Sequence, residues 1–233
     1  MDFTLTVLGT ASAKPSTARY QSAQVLTVHG RSFLIDCGEG VQVRLQEARI
    51  SLLKIESVFI SHIHGDHVFG LFGLLSTMGM MSRTKPLVIY GPVSLGPILK
   101  FFLSYYGDGI PFEVVHKPLN VKSPEVIYSS KSLSVSAFPL NHKIETFGFI
   151  FREKEPQINV KKWKIEEYAL TLTEIGSVKR GEDVQKGRLA AAALAHDGDI
   201  LALVHGEIDV AERFDRVAAK AGLIYLFQPG NFQ

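Results

Sequence analysis

The chain has 233 residues, 46% hydrophobic and 21% charged, which leaves room for a real core and excludes a disordered or low-complexity polypeptide. A formal net charge of +2 gives no bulk signal of a nucleic-acid partner, although a local basic face remains open, and a single cysteine, Cys37, excludes an internal disulfide. No apolar run reaches the roughly 18 residues of a membrane span, and MDFTLTVLG reads as a strand rather than an export signal, so the expected location is cytoplasmic.

In chain order, FTLTVLGT alternates and stops at Gly9, which predicts a strand feeding the small-residue loop ASAKPSTARYQS. AQVLTVHGRSFLIDCG predicts a hairpin turning at His29-Gly30, with Phe33, Leu34 and Ile35 in its second strand. VQVRLQEARI has helical spacing at Val41, Leu45 and Ala48, and SVFISH reads as a short buried strand. VFGLFGLLSTMGMMS predicts a helix whose glycines permit close packing, PLVIYGP a strand, and SLGPILKFFLSYYG a helix with Pro97 in its first turn, where proline is acceptable. Four more strands follow in FEVVHKPL, EVIYSS, LSVSAFPLNH and FGFIFRE. From about 153 to 188 the chain is polar and basic, after which LAAAALAHDGDILALVHG is apolar. DVAERFDRVAAKAG predicts a helix, and LIYLF a final strand. The pattern is β-rich α/β, consistent with two sheets covered by outer helices in a single domain over residues 1–233.

The chemistry concentrates in FISHIHGDHVFG, where His62, His64, Asp66 and His67 fall within six positions of an apolar strand. At an extended strand end His62 and His64 point to the same side, and Gly65 is expected to let the chain turn so that Asp66 and His67 reach the same point. Imidazole and carboxylate ligands suit zinc and tolerate manganese or iron. Four such groups around a bend can address two neighbouring ions, which could ligate one hydroxide and polarise a phosphoryl or acyl group. Surface histidines at a strand end are the plain alternative; four metal-binding residue types at fixed offsets weigh against it. His142 follows an apolar strand in FPLNHK, where a further ligand could project. His29 and His116 read as surface or hydrogen-bonded histidines, and His196 and His205 are ambiguous.

SHIHGDH resembles the signature of the metallo-β-lactamase fold. LGTASAKPSTAR, FLIDCGEGVQVRL, ISHIHGDHVFGLFGLLSTM, PLVIYGP and PLNHKIETFGFIF, in that order, narrow the likeness to ribonuclease Z, the endonuclease family that trims tRNA precursors at the 3′ end. The likeness covers roughly residues 3 to 152, and YALTLTEIGSVKRGED resembles that family's variable segment. The resemblance implies a metallo-β-lactamase-like αββα sandwich, incomplete at the C-terminus, that is cytoplasmic and homodimeric and binds precursor tRNA. It implies two Zn2+ ions: His62, His64 and His142 would hold one, and Asp66 and His67 the other. Asp66 would also act as general base on the attacking water, leaving a 3′-hydroxyl, and Asp36 in DCGEG would support the histidine strand as a buried carboxylate. Cations from Lys154 to Arg188 would meet the tRNA backbone, with a solvated polar loop as the alternative, and Lys14 and Arg19 would sit at the mouth of the site.

The family's bridging aspartate and last histidine have no recognisable match. Where they belong, the chain reads LAAAALAHDGDILALVHGEID and LFQPGNF; Asp197, Asp199 and His205 are weak stand-ins. Two alternatives therefore accompany the nuclease reading. One is another phosphodiesterase or hydrolase of the same fold, and the other is an inactive homologue with an incomplete metal site.

Overall fold

A computed structural model describes residues 3–14 and 18–154, and the backbone at Arg216–Ala218 and Leu223–Leu226. The first strand, β1 (Phe3–Gly9), pairs antiparallel with β2 (Ala23–Val28), which turns into β3 (Arg31–Ile35). The turn is the expected His29-Gly30 pair, with φ of 48° and 75°, the double positive φ that a two-residue hairpin matching strand twist requires. β4 (Ile55–Phe59), β5 (Leu87–Pro92) and β6 (Val114–Leu119) then add in parallel.

Parallel neighbours need crossovers, and three helices supply them. These are α1 (Val41–Glu47) before β4, α2 (Gly65–Met80) before β5 and α3 (Leu95–Tyr106) before β6. On α2 the residues Val68, Leu71, Leu74, Leu75 and Met78 recur every three or four positions and are buried, the stripe an amphipathic helix turns to a sheet. They join Val25, Leu34, Val58, Ile60 and Ile89 in one core between helices and sheet.

A second core lies on the opposite face. There Leu26, Phe33, Ile35 and Phe59 meet Val135, Phe149 and Phe151 of an antiparallel sheet formed by β7 (Glu125–Ser129), β8 (Leu133–Pro139) and β9 (Phe147–Glu153). Arg31 ties the two sheets at their rim, its guanidinium donating to Ser130 and Ser132 beyond β7 and pairing with Glu56 on β4. The strands that face helices on one side and a second sheet on the other read as continuous apolar runs, as double burial demands.

The expected helix over DVAERFDRVAAKAG is corrected in part. Arg216–Ala218 form a strand, β10, antiparallel to β1, and Leu223–Leu226 form β11 beside β9, where the last strand is expected. The sheets thus run β10-β1-β2-β3-β4-β5-β6 and β11-β9-β8-β7. Edge addition to β1 prevails there over local helical spacing, because a backbone ladder with an open edge satisfies donors that no local pattern reveals. Among the described residues no helix is long and apolar enough to cross a membrane.

Candidate metal centre

β3 and β4 are parallel neighbours, so their C-terminal ends open at the same edge of the sheet, where α/β sheets commonly place ligands. β3 delivers Asp36 there, in the left-handed region at φ 55°, a strained conformation of the kind that collects at functional sites. β4 runs on through Ile60 to Ser61, His62 and His64, and α2 begins at Gly65, so Asp66 and His67 stand on its first turn. The turn therefore differs from the expectation. Gly30 and Gly40 are the positive-φ glycines among the described residues, and Gly65 simply opens the helix. What bends the chain is the switch from an extended His64, at φ −64° and ψ 147°, into helix.

The loop between β8 and β9 supplies His142 from the second sheet. It is fastened to the first sheet by the Phe147 amide, which donates to the Ser61 carbonyl at 2.9 Å. As a result the ligand nitrogens of His62, His64 and His142 all lie within 4.8 Å of one another, with His142 Nε2 3.4 Å from His64 Nδ1. His62 is buried, and His64 and His142 face solvent. A triangle of imidazole nitrogens of this size is the donor set of a divalent ion such as zinc, so the residues present fit that cofactor.

Asp66 and His67 stand beside this triangle, on the helix side. The His67 and His62 ring centres are 4.0 Å apart, and His67 Nε2 lies 3.5 Å from Asp66 Oδ2. Behind them His67 Nδ1 donates to Asp36 Oδ2 at 2.7 Å, both groups being buried. Asp36 Oδ1 accepts the Ser61 amide at 2.8 Å, and the Ser61 hydroxyl sits 2.8 Å from Oδ1 and 3.0 Å from Oδ2. Burial, reinforced by its histidine neighbours, pushes His62 down to about 3, so its ring is neutral and free to coordinate near neutral pH. Burial also opposes charge on His67, but the hydrogen bond and charge of Asp36, together with Asp66, outweigh it and raise that pKa.

The family model described as "Anti-Pycsar protein Apyc1" matches residues 3–155. The chain belongs to that family. Curated relatives of this Apyc1-family chain include the ribonuclease Z of Phocaeicola vulgatus, 36% identical over 181 residues, and that of Cytophaga hutchinsonii, 42% identical over 184 residues. The alignments take in 78% and 79% of this chain but 59% and 58% of those proteins, so the chain spans less than two thirds of their length. Among solved structures, the short form of human tRNase Z superposes with a TM-score of 0.61 at 33% identity, covering 64% of this chain and 65% of that one. The metallo-β-lactamase fold protein YhfI from Bacillus subtilis superposes at 0.52 with 19% identity, covering 64% of this chain and 57% of that one. The fold is that of the metallo-β-lactamases, and the likeness to ribonuclease Z read from the sequence stands.

In this Apyc1-family chain three of the five expected ligands, His62, His64 and His142, come together, with His67 beside His62, Asp66 next to His67, and Asp36 behind His67. The helix-side pair Asp66 and His67 has no third ligand among the described residues; Asp197, Asp199, His196 and His205 lie outside them, as does the basic stretch beyond Lys154. His29 is hydrogen-bonded, to Glu153 at 2.9 Å. His116 is half-buried beside the Gly91 and Pro92 backbone, which bonds its ring; burial outweighs those bonds and lowers its pKa, and its Nε2 meets no partner by strict geometry. Of the loop holding Lys14 and Arg19, the base borders the site: Gln21 packs on Gly38, next to the Asp66 carbonyl. Ser61 is the site residue that sequence reading missed. A serine carries no metal-ligand signal, and only its place between a buried strand and the first histidine could have marked it.

Proposed function

We propose that the chain carries the metal-binding core of an endoribonuclease that cuts precursor tRNA on its 3′ side and leaves a 3′-hydroxyl. The observation that carries this reading is the convergence of His62, His64 and His142 from two sheets, beside Asp66 and His67, in a chain whose curated relatives include ribonucleases Z. In this reading the three histidines hold one zinc ion, and Asp66 and His67 begin the site of a second. A bound divalent ion would supply positive charge that acidifies water and offsets the negative phosphodiester. Asp66, on the opening turn of α2, would take the proton of the attacking water. His67, anchored through Asp36, keeps the pair in register.

The surface beside His142 supports a polyanionic substrate. A cavity of about 380 Å³ there is bordered by Asn120, Lys122, His142, Lys143, Glu145 and Thr146, so its cations outnumber its one carboxylate. Neither lysine has an ion pair among the described residues, which leaves both free for phosphate. A second reading, another phosphodiester hydrolase of the same fold, rests on the chain's membership of the Apyc1 family over residues 3–155 and on its metallo-β-lactamase fold. The zinc-loaded full chain decides between them. Release of the 3′ trailer from precursor tRNA at a single position supports the first reading, whereas hydrolysis of a small chromogenic phosphodiester with intact precursor supports the second. A cytoplasmic homodimer belongs to the same proposal, and sedimentation velocity tests its stoichiometry.

A further inference from the structure

Ser61 occupies a position that the chemistry of the site has not yet used. Its hydroxyl oxygen has four polar neighbours: Asp36 Oδ1 at 2.8 Å, Asp36 Oδ2 at 3.0 Å, His62 Nδ1 at 2.9 Å and His67 Nδ1 at 3.3 Å. A serine hydroxyl has one proton to donate and two lone pairs to accept with. A carboxylate only accepts. If the Ser61 proton pointed at His62, the hydroxyl oxygen would face both Asp36 oxygens with no hydrogen between them. The proton therefore goes to Asp36, and His62 Nδ1 must then donate to Ser61. That leaves the lone pair of His62 on Nε2.

We infer that Ser61 is a positioning residue which relays the Asp36 carboxylate to His62 and locks its ring in the Nδ1–H tautomer, with Nε2 presented as a ligand. One buried carboxylate then orders two histidines, His67 by direct contact and His62 through a hydroxyl. Each comes from a different ligand group, so a single anchor keeps the strand end and the helix turn in step. The Ser61 backbone extends the same anchor to the third element: its amide donates to Asp36 and its carbonyl accepts from Phe147, at the foot of the loop that bears His142. Groups that hold a metal-binding histidine from behind typically change metal affinity by about 10–100-fold when removed.

The inference rests on the metal-site reading, and two measurements keep the two separable. The first is the ring nitrogen spectrum of His62 in the metal-free full chain, with 15N-labelled histidine. An Nδ1–H signature supports the relay, and an Nε2–H signature overturns it, whether or not the protein ever binds zinc. The second is zinc affinity by competition with a chromophoric chelator. S61A should bind zinc about 10-fold more weakly or worse, with S61T restoring it because threonine keeps the hydroxyl. A folded S61A that retains both the Nδ1–H tautomer and wild-type zinc affinity would overturn the relay. Wild type that binds no zinc while showing Nδ1–H would instead sink the metal-site reading and leave the tautomer assignment standing.

Discussion

The two halves of the candidate centre are built differently. His62, His64 and His142 come from two separate sheets, and their nitrogens close a triangle within residues 62–142. Asp66 and His67 come from a single helical turn and end without a third partner among the described residues. The first half depends on how the sheets pack, and the second on how α2 sits against the loop after β3. Tertiary packing has thus gathered three histidines into one donor set, while the other half remains, among the described residues, a local motif held by Asp36.

The largest expected effect falls on the helix-side half. In the zinc-loaded chain Asp66→Ala should slow phosphodiester cleavage by about 10²–10⁴-fold, the range of a positioned base. Turnover unchanged at equal metal content would remove Asp66 from that role. Next is Asp36→Ala, which strips the counter-charge from a buried histidine and leaves Ser61 donors unanswered. A loss of about 3–5 kcal/mol in urea unfolding is expected, the usual cost of breaking a buried pair from one side. His142→Ala sharpens the comparison directly, because it should remove one zinc ion per chain by elemental analysis while the Asp36–His67 pair, and with it most of the stability, persists.

Acidity separates the halves more gently. His62, held at about 3 against an unfolded value near 6.5, adds stability that is complete above about pH 6.5 and is lost as pH falls towards 3. His67, with its pKa raised, adds stability that is complete below the unfolded value and is lost as pH rises through the folded one. In the presence of chelator the contribution of this pair should therefore be greatest near pH 6.5, and His62→Gln should flatten only the acid limb of the urea midpoint profile. The smallest effect concerns substrate: Lys122→Ala and Lys143→Ala should each reduce the slope of log affinity for tRNA against log salt by about 1.

Much of this was legible beforehand, and for physical reasons. Doubly buried strands announce themselves as apolar runs such as Val58-Phe59-Ile60, and α2 as a stripe from Val68 to Met78. His62, His64, Asp66 and His67 were readable because ligand types at fixed offsets rarely arise from packing alone, and Asp36 because DCGEG accompanied them. Three features were hidden. The strand at Arg216–Ala218 depends on an open edge of β1 some two hundred residues away, which no local window contains. The turn at Gly65 needs no glycine freedom, because a change of backbone class after His64 suffices, and residue type alone does not reveal that. Ser61 was invisible because its importance lies in the count of protons and lone pairs around it, not in its residue type.

The contact between Gly70 and Gly38 bears on all of these effects. A methyl group at position 70 would come within 2.0 Å of the Gly38 carbonyl oxygen, and the Gly70 amide donates to the Cys37 carbonyl at 2.9 Å. An alanine there would act as a shim under α2, tilting its N-terminal turn and dragging Asp66 and His67 away from His62 while leaving every candidate ligand chemically intact. The span across the centre is gauged by an atom that is missing one helical turn away.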